Sequence, residues 1–492
     1  MPVLFLKDLI IFKQVEDMMH KFIKSIIFML VISIACICYG NAQDDNQPAQ
    51  PQTPTPGPPP MYQDDFPLFP EEYETVDDYQ SSQLSQQAQD NNLSAIFDTR
   101  VGIRTQSAIQ QDEFSIGEAR LQTRYKHQVD SLTLNCQVDF VLDPVLDQYA
   151  VKLKEGTGFV DLRMLNLTII PSDNMDLIVG RQTLTWGTGD LLFINNLFPK
   201  DWRSLYIGRD ESYHNAPTDA IKMGFYSLYI NMDFAYVPMF DSDRVPTGER
   251  LSYYNPVLGK RVGQDYTMDI HRRNDLFKDD EWATRIYNTI NDFEFALYLY
   301  NGYWKSPGGL EPVTMRAYYP RLNVYGLSVQ GPVINGVACF EMGLYESKDD
   351  KAGNNPLVNN SQLRMLFGYR FDLPNQIQLS TQYYIQIMRD HMNYQKALAI
   401  SPLNEPPADE GRHVLTARLS QQLLEPNVNI SLLGYYCPTD TDLYIRPTFH
   451  YIVNEYFTVI GGANFFVGNE DHTYLGQYER DSNIYGGMQY RF

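Results

Sequence analysis

From Ser94 to its end the chain repeats one pattern: a segment of about ten to fourteen residues in which apolar and polar side chains alternate, then a break. Leu363, Met365, Phe367, Tyr369 and Phe371 alternate with Gln362, Arg364, Arg370 and Asp372. Ile377, Leu379, Tyr383, Ile385 and Ile387 alternate with Gln376, Gln378, Ser380, Gln382 and Gln386. A period of two places such sets on opposite faces of a strand. An apolar face backed by amides and guanidinium groups suits a sheet with lipid on one side and water on the other. The segment length is that of a tilted strand crossing a bilayer.

The pattern predicts eighteen strands. The first nine lie near 94–107, 116–128, 131–142, 158–170, 175–186, 219–229, 232–240, 281–290 and 293–301. The others lie near 318–330, 333–346, 361–373, 376–389, 412–424, 427–437, 441–453, 455–468 and 482–492. Their connections alternate in length. Short ones carry turn chemistry: Gln128-Val129-Asp130, Pro171-Ser172-Asp173-Asn174, Asn291-Asp292, Gly331-Pro332, Pro374-Asn375, Glu425-Pro426 and Asn454-Glu455. The intervening ones are mostly longer. Short turns at one end and long loops at the other characterise a membrane barrel, and an even strand number returns the chain to its first strand. The predicted fold is therefore all-β, an antiparallel transmembrane β-barrel of about 18 strands, wide enough to leave an aqueous lumen.

Composition agrees. Tyr 35 and Phe 26 against Trp 4 is a heavy aromatic load, which favours strands and membrane interfaces. Mean hydropathy is −0.35, and beyond the N-terminus no apolar run has the length of a membrane helix. A net charge of −21 argues against nucleic acid as a partner. Cys136, Cys339 and Cys437 are odd in number and far apart, so no disulfide framework is implied.

The first 92 residues read differently. Lys21 and Lys24, an apolar run from Ser25 to Tyr39 and then Gly40-Asn41-Ala42 make residues 1–42 a secretory signal peptide, with Met18 or Met19 as a natural start. Residues 43–92 are Pro-rich and acidic, the composition of a disordered periplasmic tether. Three roles stand open for it: a solvated linker, a segment that enters the barrel, or a docking peptide. Residues 93–492 form the predicted barrel.

The polar parity is rich in arginine: Arg100, Arg104, Arg120, Arg124, Arg163, Arg181, Arg364, Arg370, Arg418 and Arg446. Carboxylates share these faces at Asp98, Glu118, Asp139, Asp161 and Asp372. Two readings coexist. The charges neutralise one another across neighbouring strands, or the guanidinium groups line a path that favours anions. The fifth predicted strand leads into LLFINNLFPKDWRSLYIGRDESYHNAPT, which is too apolar for a free loop, since Leu191, Leu192, Phe193, Leu197, Phe198 and Trp202 need burial. No nucleophile elbow, HExxH or phosphate loop is present, and the histidines lack metal spacing. Neither an enzyme nor a metal or other cofactor is predicted.

The chain ends in SNIYGGMQYRF, with Ile484, Met488, Tyr490 and Phe492 on one parity. This resembles the C-terminal signal of bacterial outer-membrane barrels, which implies that Tyr490 and Phe492 are read by the barrel assembly machinery. With its strand number, its arginine-bearing lumen and the GRQ…WG stretch from Gly180 to Gly187, the chain resembles Gram-negative outer-membrane porins, the alginate-export type above all. The resemblance implies a setting of outer-membrane lipid and lipopolysaccharide in the cell outer membrane. It also implies that the 187–218 loop folds inward, either as a constriction lined by Asp190, Asp201, Arg203, Arg209 and Asp210 or as a structural lid whose apolar residues pack on the inner wall away from the path. The expected function is passive passage of small or oligomeric hydrophilic solutes, anionic or saccharide. The competing one is a plugged barrel whose outer loops bind ligands.

Overall fold

The computed structural model describes residues 92–492 apart from 110, 147–148, 402, 404–405 and 425–426. The predicted leader, the tether up to residue 91 and the Glu425-Pro426 turn lie outside the described residues.

Eighteen strands form one closed antiparallel sheet. They are β1 (Leu93–Arg104), β2 (Phe114–Val129), β3 (Leu132–Leu142), β4 (Val160–Ser172), β5 (Met175–Gln182) and β6 (Thr218–Phe225). Next come β7 (Asn231–Val237), β8 (Glu281–Ile290), β9 (Phe293–Tyr303), β10 (Arg321–Val333), β11 (Gly336–Ser347) and β12 (Gln362–Leu373). The last are β13 (Ile377–Met388), β14 (Gly411–Leu423), β15 (Val428–Cys437), β16 (Asp442–Ile452), β17 (Phe457–Val467) and β18 (Asn483–Arg491). Each pairs with its neighbours in sequence, and β1 also pairs with β18, from Ile96 opposite Arg491 to Arg104 opposite Asn483. Every predicted segment overlaps one of these strands, with ends that differ by up to several residues. Closure removes both sheet edges, which lets the spanning backbone pair within the sheet instead of facing lipid.

The short turns show why the chain reverses where it does. Asn291 and Asp292 both have positive φ, 50° and 67°, as the two-residue turn between Ile290 and Phe293 requires. Gly331-Pro332 is a correction. Both residues remain in β10, opposite Ala338 and Val337, and the chain turns at Ile334-Asn335. Pairing with β9 has already stopped at Gln330, so Pro332 sits at a local edge, where a missing N–H is tolerated.

Burial assigns the faces. On β9, Leu297 is 58% exposed while its neighbour Tyr298 is 2% exposed. The outer surface carries exposed Val101, Leu134, Leu167, Leu299, Leu415 and Met488, an apolar belt suited to lipid. Near the short-turn end it carries exposed Tyr125, Phe225, Tyr451, Tyr456, Tyr490 and Phe492, an interfacial aromatic girdle. The lumen departs from the expected aqueous space, because much of its upper half is packed. Leu184, Trp186, Ile194, Phe198, Leu205 and Tyr206 form one buried cluster with the wall residues Tyr298, Tyr345, Tyr384, Tyr444 and Phe466.

At the seam, the Phe492 N–H donates to the Ala95 carbonyl at 3.0 Å, and its ring meets Tyr490 edge-on at 4.9 Å. Replacing Phe492 with Ser should lower the amount of membrane-inserted, heat-modifiable barrel several-fold while leaving the conductance of assembled molecules unchanged. Wild-type levels of that variant in outer-membrane fractions would remove an assembly role for the terminal ring.

Candidate functional site

The segment between β5 and β6 folds into the lumen, and its local chemistry explains its shape. Asp201 caps the short helix α1 (Trp202–Ile207), its carboxylate accepting the Ser204 N–H at 2.9 Å. Gly208, at φ 88°, ends α1 in the left-handed region. Asp210 caps the following turn at Glu211–Tyr213. Tyr213 and Leu205 are buried, as the apolar composition of this segment demands.

Two sets of contacts fix the loop. The first is a clasp around Glu341 of β11, whose side chain is fully buried. Its carboxylate accepts from the Thr188 N–H, from Thr188 Oγ1 at 2.8 Å, and from the Gly189 N–H, Asn195 N–H and Asn195 Nδ2, each at 3.2 Å. Gly187 has φ 87°, and a Cβ there would meet Glu341 Oε1 at 2.9 Å, so the close approach needs glycine. Nothing in the sequence marked Glu341 beyond a carboxylate set among the apolar residues Phe340, Met342 and Leu344.

The second set is ionic. Asp190 pairs with Arg418 of β14 at 2.8 Å. Glu211 bridges Arg418, at 2.9 Å, and Arg446 of β16. Burial pushes the Glu211 carboxyl up, but the two guanidinium charges outweigh it and hold it at about 2. In a ring of eighteen strands, β14 stands opposite β5, so the loop crosses the full lumen before returning to β6. On its way back Arg209 pairs with Glu118 at 2.6 Å, and Arg100 donates to the Gly208 carbonyl at 2.6 Å. Tyr213 donates to Asp139 at 2.7 Å, and Arg163 donates to the Asn215 carbonyl at 2.7 Å.

These contacts relocate most of the arginines predicted to line a path. Arg100, Arg104, Arg120, Arg163, Arg181 and Arg446 are 2–9% exposed. They pair with Asp98, Asp481, Glu118 and Asp139, Asp161, Asp219, and Glu211 respectively. The physical reason is the loop itself. Filling the lumen buries the wall charges, and buried charges persist only when paired. Arg370 is half-buried, and Arg124 is exposed near the short-turn end.

Of the expected constriction residues, Asp201 is buried and holds Arg244 at 3.3 Å, and Arg203 donates to the Glu155 carbonyl. Asp210 lies 3.6 Å from Arg100, and Asp190 and Arg209 are tied to the walls as described. All five brace the loop. None of them lines the chamber described next.

On the long-loop side of the strut lies a chamber of about 270 Å³. Trp202 and Tyr206 of the loop face Trp304, Tyr345, Tyr384 and Tyr435 of the wall and rim. Arg364, Arg412, Lys200, Lys305 and Asp243 supply its charges. The Arg364 guanidinium lies 4.0 Å over the Tyr345 ring and donates to Gln362 Oε1 at 2.8 Å. Burial lowers the Lys200 ammonium to about 7, Asp243 opposing and Lys305 adding to the effect. Beside it His214, held down to about 3 first by burial and then by Lys200, stacks on Phe193 at 5.5 Å. Sequence reasoning placed Arg364 on the inward parity but missed the aromatic wall. Its trace in the sequence is that inward positions of β11, β13, β15 and β16 carry Tyr345, Tyr384, Tyr435 and Tyr444.

No protein-family model matches the chain, and no curated protein matches its sequence. Solved structures similar to it include OccK11 (OpdR) of Pseudomonas aeruginosa, at 8% identity and TM-score 0.47, over 82% of this chain and 96% of that one. OccAB1 of Acinetobacter baumannii is similar at 9% identity and TM-score 0.47, over 82% and 95%. OmpT, an outer membrane protein of Vibrio cholerae, is similar at 11% identity and TM-score 0.38, over 81% and 99%. At such values the barrel's own geometry has to carry the function.

Proposed function

We propose that this barrel is an outer-membrane channel for passive passage of small or oligomeric hydrophilic solutes, with residues 187–218 as its waist. The carrying observation is the division of the lumen. Below the strut the inward positions of β2 are Arg124, Lys126 and Gln128, all exposed, and they face a polar, water-accessible space. Above it lies the aromatic, basic chamber. The apolar belt and aromatic girdle set the barrel in lipid, and the terminal Phe492 supports delivery by outer-membrane assembly machinery. A solute that is anionic or a saccharide fits a lumen carrying guanidinium groups beside aromatic rings. An acidic polysaccharide of the alginate type is one member of that class.

One observation favours a second reading. The loop's apolar residues pack so fully against the upper wall that a plugged, ligand-binding barrel would look similar. Planar-bilayer recordings separate the two. A channel should show discrete single-molecule conductance steps, and under a KCl gradient its reversal potential should indicate anion preference. A silent barrel favours the plugged reading, and cation preference removes the anionic part of the proposal. Liposome swelling in neutral and acidic sugars then ranks the solutes.

A further inference from the structure

The wall of the barrel is uneven in height. Strands β5, β6 and β7 are the shortest of the eighteen, at 8, 8 and 7 residues, whereas a tilted strand needs about 9–11 to cross a bilayer. For β7 the shortfall lies at the short-turn end. Its first residue, Asn231, stands opposite Tyr287, while β8 runs on to Ile290. The longest turn at that end fills the space: Tyr226-Ser227-Leu228-Tyr229-Ile230. It carries no charge, and Leu228 and Tyr229 are 93% and 85% exposed. Hydrogen bonds fix its backbone. Ser227 Oγ accepts the Ile230 N–H at 3.1 Å, and the Ser227 N–H donates to Asn231 Oδ1 at 3.0 Å. Asn174 Nδ2, from the β4–β5 turn, donates to the Tyr226 carbonyl at 2.9 Å. On the other flank Asn288 Nδ2 of β8 donates to the Tyr229 carbonyl at 2.7 Å.

We propose that the β6–β7 turn is a membrane anchor, with Leu228, Tyr229 and Ile230 inserted at the headgroup–acyl boundary of the leaflet on the short-turn side. Its partner is phospholipid, and its role is to restore the apolar height that β6 and β7 lack. The inference goes beyond the channel reading and stands whether or not the barrel conducts. Three features carry it. The turn continues the lipid-facing surface, because exposed Phe225 precedes it and exposed Ile290 and Ile170 lie on the strands to either side. The bonds to Asn174 and Asn288 hold it level with those strands, at the height of the leaflet rather than out in the periplasm where a protein would meet it. Its composition suits the boundary: an uncharged backbone turn, aliphatic side chains, and a tyrosine with one polar end. A span shorter than the hydrocarbon layer otherwise forces the bilayer to thin beside it. An inserted apolar turn removes that demand.

The test places a tryptophan in the turn of the full-length protein, Leu228→Trp, and reads its emission above that of the wild type in phosphatidylcholine vesicles. The added emission should be blue-shifted. It should fall at least twofold when the lipid is replaced by phosphatidylcholine brominated high on the acyl chain, and less with bromine near the chain end. Acrylamide in the water should quench it weakly. Pro374→Trp, in the exposed β12–β13 turn, serves as the comparison and should show the reverse, quenched by acrylamide and indifferent to bromine. Two results overturn the inference. Water-like emission from Leu228→Trp, open to acrylamide and unaffected by bromine, leaves the turn in the periplasm as a surface for a protein partner. Equal bromine quenching of both variants shows a barrel whose whole rim sits deep, with no anchor of its own in this turn. Should Leu228→Trp not give a heat-modifiable barrel, Tyr229→Trp exchanges one aromatic ring for another and reads the same depth.

Discussion

Deleting Leu191–Trp202 should raise single-channel conductance about three-fold or more, because an eighteen-stranded barrel without its strut leaves a wide aqueous lumen. The deletion removes Leu191, Leu192, Ile194 and Phe198 from the packed cluster and takes away the Asp201 cap of α1. It also removes Asn195 from the Glu341 clasp. The remaining loop is still tied to the walls through Glu211 and Arg209, but its midsection no longer spans the lumen. The eighteen strands keep their backbone ladders, so the barrel itself should persist. Selectivity should fall with the rise in current, since solutes no longer pass the basic chamber closely. Conductance equal to the wild type would show that the strut does not set the waist.

Glu341→Ala should have the next largest effect, and a different one. Its carboxylate collects donors from Thr188, Gly189 and Asn195, and no cation is among those partners. Without the acceptor, buried N–H groups are left unmatched at about 1–3 kcal/mol each, until the 187–195 segment moves to find water. The ionic anchors to Arg418 and Arg446 remain, so the far end of the strut stays docked. The expected outcome is an unchanged heat-modifiable barrel whose loop becomes cleavable by added protease between 187 and 195, with noisy, fluctuating current. Glu341→Gln should fall between, because its amide keeps one accepting oxygen and turns an N–H₂ group toward donors. A Glu341→Ala protein that resists cleavage and conducts quietly would remove the clasp from the account.

The strands were legible because their cause is local. Alternation such as that from Gln362 to Asp372 reports a membrane-spanning sheet within each segment, independent of its partners. Turn residues reported the reversals nearly as well. Gly331-Pro332 misled because the signal residues sit beside the turn, which Ile334 and Asn335 make. The loop's need for burial was legible from Leu191, Phe193 and Phe198, and the resemblance to porins supplied its inward course. Its destination was not. Which wall Asp190 and Glu211 would reach depends on strands more than two hundred residues further on. The arginines were placed on the correct parity, and Arg100, Arg120 and Arg163 pair with wall carboxylates that share those faces in the sequence, whereas the loop carboxylates that reach Arg418 and Arg446 could not be read. Glu341 and the tyrosines of the chamber acquire meaning only when the loop arrives beside them.

The strut also dictates an order of events during biogenesis. Its segment is made early, but Asp190 waits for Arg418, separated by 228 residues. Tyr206 waits for Asn483, whose side chain donates to its carbonyl at 2.9 Å across a separation of 277. Asn483 opens β18, the strand that closes the ring. The loop therefore cannot finish docking until the barrel is shut, and contacts this distant form slowly. Until the strands that carry Tyr298, Tyr345 and Tyr384 are made, Leu191, Phe198 and Trp202 lack the wall they pack against, and an apolar loop hangs from an open sheet. Closure and loop docking are thus the last, joint steps of maturation, and a chain stalled before β18 is an aggregation hazard at its middle rather than at its unfinished end.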